Sequence, residues 1–207
     1  MFFVSQNKGD LVFITLLPDE NANLNEQISQ AYSELSDYML QNGIEILNER
    51  IYCKVSAADD IQVIRKQTVE TNSNYFRLCP TFVEGTPCYS REFAGIHVIG
   101  VHNSKHHEID YLERNDVICG RKFHGEEADY VALSDIAAVL PKSAHSDKST
   151  EAYETIRMAD EILHANNWSF RDVRRTWFYL DNILEWYNDF NKARSRYYHQ
   201  SGLLNGS

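Results

Sequence analysis

Residues 173–198 read Val-Arg-Arg-Thr-Trp-Phe-Tyr-Leu-Asp-Asn-Ile-Leu-Glu-Trp-Tyr-Asn-Asp-Phe-Asn-Lys-Ala-Arg-Ser-Arg-Tyr-Tyr, and their periodicity changes in the middle. Residues 173–180 are rich in β-branched and aromatic side chains, which predicts a strand. Asn182, followed three residues later by Glu185, predicts a capping box at the start of a helix. The apolar residues after this point recur at helical spacing and form one stripe, namely Trp186, Phe190, Ala193 and Tyr197. The stretch therefore predicts a buried strand, a tight turn and an amphipathic helix.

The two halves of the chain predict the same order of elements: strands, a capped helix, a further strand and a second helix. Arg50-Ile-Tyr in the first half corresponds to Arg175-Thr-Trp in the second, which indicates a diverged internal duplication. The polar run His102–His107 between them is better explained as a solvated linker than as a metal site, because its spacing would need a helix. We therefore predict two domains, at residues 1–103 and 108–207.

The first half contains the clearest local signals. Asn23 begins a capping-box pattern, and Gly43 stands where a left-handed residue ends a helix. Residues 44–56 alternate in polarity and predict a strand with one face on a core, with Leu47 and Ile51 on that same face. The other elements predicted in this half are strands at 2–4, 11–17 and 96–101 and a helix at 59–70.

The second half predicts strands at 109–113, 117–123 and 130–140. Ser149 or Thr150 can cap the helix that follows them. No closing strand is predicted after Tyr198, whereas the first half has one at 96–101. The second unit either borrows its last strand from elsewhere or belongs to a fragment of a longer protein.

The sequence Arg-Thr-Trp-Phe-Tyr-Leu-Asp-Asn-Ile at 175–183 is followed by Trp-Tyr-x-x-Phe-Asn-x-x-Arg and a paired aromatic. This pattern resembles the Rid (YjgF-like) superfamily, and within it the two-copy members related to chorismatases. The resemblance covers roughly residues 150–200. It implies an α+β fold of two tandem Rid- or chorismate-mutase-like units, each a mixed β-sheet with two helices on one face. It also implies a homo-oligomer, a trimer or pseudo-trimer, that buries the other sheet face.

The resemblance further implies where a catalytic arginine would stand. In the Rid family an arginine in a Pro-x-Arg context, just after the second helix, holds a substrate carboxylate while water attacks an imine or enamine carbon. Cys79-Pro80-Thr81-Phe82 occupies that neighbourhood here, which implies a degenerate first unit. In the second unit the motif would lie beyond Ser207. Because the two-copy relatives continue past this point, we expect a truncated second unit in a fragment of a longer protein.

The remaining candidates are ligand-binding rather than catalytic residues. Arg175 alternates with Trp177 and Tyr179 on one face of the predicted strand, where a carboxylate could lie against an aromatic wall. The alternative is that Arg175 pairs with an acid across the sheet and that the aromatics are core. Arg194 is the fourth candidate, on the polar flank of the helix, where a solvated face or a subunit contact is the alternative.

Composition and charge exclude several classes of function. The net charge of −10 and the lack of a basic stripe argue against a nucleic-acid partner, and so against the endoribonuclease activity often assigned to the superfamily. No apolar run approaches the roughly 20 residues that span a bilayer, so we expect no membrane partner and a cytoplasmic location. Four cysteines without Cys-x-x-Cys spacing, and no nucleotide-binding motif, predict no metal and no cofactor.

Two functions stay open at this point. One is an enzyme of the Rid type, acting on a small carboxylate-bearing metabolite by imine hydrolysis or a chorismatase-like reaction at a subunit interface. The other is a non-catalytic ligand-binding or assembly module that keeps the fold and has lost the arginine.

Overall fold

The computed structural model describes residues 2–69, 79–85, 92–103, 109–125, 128–137 and 147–204. These residues form an α+β fold with four α-helices and two sheets. The strands are β1 (Phe2–Lys8), β2 (Leu11–Leu17), β3 (Ile44–Cys53), β4 (Thr81–Glu84), β5 (Phe93–His102), β6 (Asp110–Arg114), β7 (Val117–His124) and β8 (Asp129–Leu133). The helices are α1 (Leu24–Asn42), α2 (Ala58–Val69), α3 (Lys148–Ala165) and α4 (Ile183–Gln200).

The chain divides into two compact units, Met1–Asp135 and Ile136–Ser207. All eight strands of the described residues lie in the first unit, together with α1 and α2, whereas the second unit holds α3 and α4. This division does not coincide with the predicted linker His102–His107, most of which falls outside the described residues. The tandem arrangement of two sheet-and-helix units is therefore not confirmed.

The five-stranded sheet of the first unit has the order β1-β2-β5-β3-β4. It is mixed, because β3 and β4 run parallel while its other neighbouring strands pair antiparallel. Helices α1 and α2 cover one face through a single apolar cluster that includes Ile14, Leu35, Ile51 and Ile61. Each such side chain contributes about 1.5–3 kcal/mol when fully buried. This unit has the mixed sheet with two helices on one face that the sequence predicted.

The ends of α1 confirm the local signals of the sequence. The Glu26 backbone N–H donates to Asn23 Oδ1 at 3.0 Å, and the Asn23 backbone N–H donates to Glu26 Oε2 at 3.0 Å. This is the reciprocal capping box. At the other end Gly43 has φ 59°, the left-handed conformation that only glycine adopts without a Cβ penalty.

Strand β3 contains a β-bulge that the sequence pattern did not predict. The register against β5 shifts between Ile46 and Asn48, so that Leu47 is an extra residue. Because side chains alternate with period two, one extra residue moves Leu47 to the opposite face from Ile51. The expectation that these two residues share a face is therefore wrong.

The other face of β3 is covered by a second, antiparallel sheet of order β6-β7-β8. Leu47, Val101 and Phe123 form a small buried core between the two sheets. Part of the sheet face that was expected to need a partner chain is thus buried within this chain. Trimer formation stays a prediction, and the physical argument for it now applies only to the rest of that face.

Arg121 of β7 is completely buried between these sheets, at 0% exposure. Its Nη1 donates to the carbonyl oxygen of Ile46 at 2.5 Å, beside the bulge. The guanidinium also lies 5.3 Å from the ring centroid of Tyr111. The Ile46 carbonyl lies at the bulge, where regular strand pairing is interrupted. The bond from Arg121 therefore gives this buried carbonyl a hydrogen-bond donor, as buried backbone groups need.

The stretch 173–180 is not a strand, which corrects the prediction on which the sequence argument began. Its residues alternate, but a strand needs a hydrogen-bonded neighbour. None of the described residues of the second unit is in a strand. The predicted capping box is also wrong, because Asn182 is left-handed at φ 48° and its side chain donates to Asp181 Oδ2 at 3.0 Å instead.

The stripe predicted for α4 is buried except at its first residue. Phe190, Ala193 and Tyr197 are buried, whereas Trp186 is half-buried and has the non-helical φ of −138°. Ile156 and Leu163 of α3 are also buried. The start of α3 lies earlier than expected. Asp147, not Ser149 or Thr150, is its N-cap, and its side chain accepts from the Thr150 backbone N–H at 2.7 Å.

Candidate functional site

The extended segment 173–180 presents three of the four predicted ligand-binding residues to solvent. Trp177 is 45% exposed and Tyr179 is 42% exposed. Arg175, which alternates with them, is exposed as well. The Arg175 guanidinium lies 5.4 Å from the Trp177 ring centroid, within the range of a cation–π contact. We call Arg175, Trp177 and Tyr179 the exposed row.

The other side of the same segment faces the helix. The ring of Phe178 lies 5.1 Å from that of Phe190, in an edge-to-face arrangement. Arg194 is placed on this side, with its guanidinium 5.5 Å from the Phe190 ring centroid. The described contacts therefore do not bring Arg194 to the exposed row.

The surroundings of Arg175 bear on the two explanations offered by the sequence. Within the described residues Arg175 makes no ion pair, and the aromatic residues that alternate with it are solvent-exposed rather than core. A guanidinium on an aromatic face keeps its fork of N–H donors directed outward, and that fork matches a carboxylate. The arrangement can hold a small anion.

Among solved structures, the chain is similar to a chorismatase. The TM-score is 0.66 at 10% sequence identity, and the match covers 94% of this chain and 68% of the chorismatase chain. No family model matches the sequence, and no curated protein matches it. A likeness at this identity shows the fold alone.

A second polar region lies in the first unit, on the side of β3 that faces away from α1 and α2. After the bulge, Asn48 and Arg50 share this face, and both are buried. Arg50 pairs in register with His97 of β5, and its Nη1 lies 3.3 Å from His97 Nδ1. Asn48 Nδ2 donates to Ser134 Oγ at 2.6 Å. We call Asn48, Arg50, His97 and Ser134 the polar face of β3.

The position expected for the Rid arginine adjoins this region. Thr81 begins β4 and pairs in register with Arg50 on the neighbouring parallel strand. The Asp135 backbone N–H donates to Thr81 Oγ1 at 3.2 Å. An arginine is thus present beside the expected position, although on a different strand. The sequence signal that could have pointed to it is the correspondence of Arg50-Ile-Tyr with Arg175-Thr-Trp.

The opposite face of β3 carries a buried ion pair. Arg65 Nη2 of α2 donates to Glu49 Oε2 at 2.5 Å, and Arg65 Nε donates to Glu49 Oε1 at 3.2 Å. The Tyr32 hydroxyl of α1 donates to Glu49 Oε1 at 2.5 Å. Burial raises the pKa of Tyr32 well above its ordinary value of 10, and the adjacent Glu49 charge adds to this. The network joins both helices to the sheet and is closed off from ligands.

In the part of the chain that the structure describes, no group of three or more His, Cys, Asp or Glu side chains could hold a metal ion. None of the helices described combines the length and apolar character that crossing a bilayer requires.

The environment of His97 predicts a pH dependence of stability. Burial, and beyond it the nearby Arg50 charge, lowers the pKa of His97 from its ordinary 6.5. At pH values between the lowered pKa and 6.5, His97 binds more protons in the unfolded chain than in the folded one. The contribution of His97 to stability therefore rises with pH. It is fully present above pH 6.5 and is lost as the pH falls through the folded-state pKa.

We expect His97→Gln to make the free energy of unfolding depend less on pH between 5.5 and 7.5, because glutamine does not titrate. Urea unfolding of the wild type and the variant at pH 7.5, 6.5 and 5.5 gives the difference between their free energies of unfolding. The carboxylates that both proteins share contribute equally to the two values and cancel in this difference. A difference that is constant across the three pH values would show that His97 titrates normally in the fold.

Proposed function

We propose that this protein binds a small carboxylate-bearing metabolite at the exposed row, Arg175, Trp177 and Tyr179. The observation that carries the proposal is the Arg175 guanidinium, held over the Trp177 ring at 5.4 Å and in no ion pair with the described residues. Arginine donates two parallel hydrogen bonds to a carboxylate, and each charge-assisted bond contributes about 1.5–3 kcal/mol.

The aromatic residues define what such a ligand looks like. Trp177 and Tyr179 offer flat apolar surface beside the guanidinium, which favours a ligand with a planar or ring-shaped body. The net charge of −10 disfavours polyanions, because long-range repulsion acts on every additional negative charge. The ligand class is therefore a compact monocarboxylate or dicarboxylate, and RNA cleavage is not part of the proposal.

The chorismatase-like fold supports placing this chain with the two-copy Rid relatives, whose chemistry would be imine hydrolysis or a chorismatase-like reaction at a subunit interface. A non-catalytic ligand-binding or assembly module is the second candidate. It is favoured by Thr81-Phe82, which occupy the neighbourhood of the family's arginine. Hydrolysis of a freshly generated 2-iminoacid separates the two, and we expect slow turnover, because the loss of about 3–6 kcal/mol of binding to the transition state costs two to four powers of ten in rate.

The binding test compares two adjacent arginines. We expect Arg175→Ala to weaken the binding of benzoate at least about 10-fold, because the charge-assisted bonds of the guanidinium are lost. Trp177→Leu should weaken it only several-fold, the value of an exposed cation–π contact. Isothermal titration calorimetry measures both affinities.

Arg174→Ala is the matched control, since Arg174 is the exposed neighbour whose side chain alternates away from the row. It should leave benzoate affinity within about twofold of the wild type. Equal losses in both arginine variants would mean that only general charge attracts the anion, and an unchanged affinity in Arg175→Ala would exclude the exposed row as the site.

A further inference from the structure

We propose a second ligand site in the helical unit: a cleft between α3 and α4 binds a phosphate group, either free or in a small phosphomonoester. Arg196 and Lys192 of α4 balance its charge, and the Ser149 hydroxyl of α3 donates to one of its oxygens. The cleft has a volume of about 290 Å³, at the lower end of the range for small-molecule sites. We call it the α3–α4 cleft, and it does not depend on the exposed row.

The charged side chains that line the α3–α4 cleft are mostly basic. Lys192 and Arg196 are four residues apart on α4, so they project from the same side of that helix. Among the described residues that line the cleft, the acid is Glu154 of α3, and its Oε2 already accepts from Arg157 Nε at 2.7 Å. The lining therefore carries an excess of positive charge in a protein whose net charge is −10.

Arg196 is the residue that points to an anion. Its guanidinium lies 4.8 Å from the ring centroid of Tyr153, and it makes no ion pair with any residue that the structure describes. The Tyr153 hydroxyl donates to Gln200 Oε1 at 2.5 Å, which holds the ring in place under the guanidinium. A guanidinium stacked on a ring keeps its in-plane N–H donors available, and their best acceptor is an anion.

Lys192 adds a second positive charge that an anion can share. Its Nζ donates to Asp189 Oδ1 at 2.8 Å, and the Lys192 side chain is 76% exposed. Exposed pairs of this kind contribute little to stability, because water screens the charges and both side chains lose rotamer freedom. An ammonium has three N–H donors, so Lys192 can keep its bond to Asp189 and still donate to a bound anion.

The first turn of α3 supplies a hydroxyl donor rather than backbone donors. The backbone N–H groups of Ser149 and Thr150 already bind the Asp147 carboxylate, so the proposal does not rest on the end of the helix. The Ser149 hydroxyl makes a long contact of 3.4 Å to the Asp189 carbonyl oxygen. Because that bond is weak, the hydroxyl can turn and donate to an anion in the cleft that it lines.

These donors favour a phosphate group over a carboxylate. They are of three kinds, a planar fork, an ammonium and a hydroxyl, and they come from two helices. A carboxylate has two oxygens in one plane and is matched by a single guanidinium. A phosphate monoester carries about −1.5 to −2 charges at pH 7 and has three acceptor oxygens, so it can accept from all three donors at once.

The experiment is carried out on Arg175→Ala protein, so that the exposed row does not contribute. Inorganic phosphate, glycerol 3-phosphate and acetate are titrated at pH 7.5 and constant ionic strength. In two-dimensional NMR spectra we expect the backbone amide resonances of Ser149 and Arg196 to shift and saturate with both phosphates. Acetate, which offers fewer oxygens and less charge, should bind at least about 5-fold more weakly than phosphate. Tighter binding of glycerol 3-phosphate than of inorganic phosphate assigns the site to a phosphomonoester, and the reverse assigns it to free phosphate.

Arg196→Gln is the decisive variant, and it should weaken phosphate binding at least about 10-fold. Lys192→Gln should weaken it about 2- to 5-fold, the value of one exposed charge pair, and Ser149→Ala about 2- to 10-fold. Arg174→Gln is the matched control, because it removes the same charge from an exposed residue of the same unit outside the cleft. It should leave the affinity within about twofold of the parent protein, since distant exposed charges are screened.

Three results would overturn the proposal. They are equal losses in Arg196→Gln and Arg174→Gln, resonance shifts that never saturate, and an acetate affinity equal to that of phosphate. The first would mean that phosphate is attracted only by the general charge of the surface. Far-UV circular dichroism verifies that each variant is folded, which the exposure of Arg196 and Lys192 leads us to expect. Failure of the exposed row would show instead as unchanged benzoate binding in Arg175→Ala, so the two proposals fail separately.

Discussion

Replacing Glu49 by Gln is expected to lower the free energy of unfolding by about 3–5 kcal/mol. The substitution leaves the Arg65 guanidinium charged and buried between α2 and β3 with no counter-charge from Glu49, and it weakens the bond from the Tyr32 hydroxyl. Removing one partner of a buried ion pair costs far more than the pair contributes, because the remaining charge has already lost its hydration.

The double variant Glu49→Leu/Arg65→Met tests that reasoning. Apolar side chains of similar volume should recover most of the loss, since neither charge then has to be desolvated. Urea unfolding followed by far-UV circular dichroism gives the free energies, with Glu20→Gln as the exposed control. If the double variant is as unstable as the sum of the single variants, packing rather than charge decides the effect.

The second large effect is expected in the helical unit. Asp160 of α3 is buried, and it accepts from the Tyr197 hydroxyl of α4 and, at 3.1 Å, from the Phe170 backbone N–H. Burial and this bond raise the pKa of Tyr197. Asp160→Ala leaves two buried donors without an acceptor, and we expect a loss of about 2–5 kcal/mol.

Tryptophan fluorescence is a suitable measurement for this unit, because all three tryptophans of the chain, at 168, 177 and 186, lie in Ile136–Ser207. Asp160→Asn should lose less than Asp160→Ala, because its amide oxygen still accepts a hydrogen bond. His164→Ala, which alters an exposed neighbour of Asp160, should change stability by less than about 1 kcal/mol. A loss in His164→Ala as large as in Asp160→Ala would contradict this account.

Ligand binding by Arg175, Trp177 and Tyr179 stays a prediction. The alternation of Arg175, Trp177 and Tyr179 was read correctly from the sequence, because alternate residues of any extended chain face opposite ways. The sequence could not show that this face is open to solvent. An alternating pattern fits a strand within a sheet and an unpaired extended segment equally well. Arg194 was a separate candidate, on the polar flank of the helix, and its guanidinium lies 5.5 Å from the Phe190 ring centroid.

The polar face of β3 escaped prediction for a different reason. Asn48 and Ser134 are 86 residues apart in the chain, and Arg50 and His97 are 47 apart. Neither spacing matches a period or a motif. The bulge at Leu47 then reverses the alternation that would have sorted inward from outward residues.

The sequence by itself determined the features that depend on a few neighbouring residues. The capping box of Asn23, the left-handed end at Gly43 and the burial of Phe190, Ala193 and Tyr197 on one stripe of α4 follow from backbone geometry and side-chain chemistry within a few helical turns. Tertiary structure alone decided that 173–180 has no strand beside it, that β6–β8 pack on the first sheet, and that Glu49 meets Arg65. Each of these depends on which distant segment supplies the partner, and a local pattern of polarity carries no information about that choice.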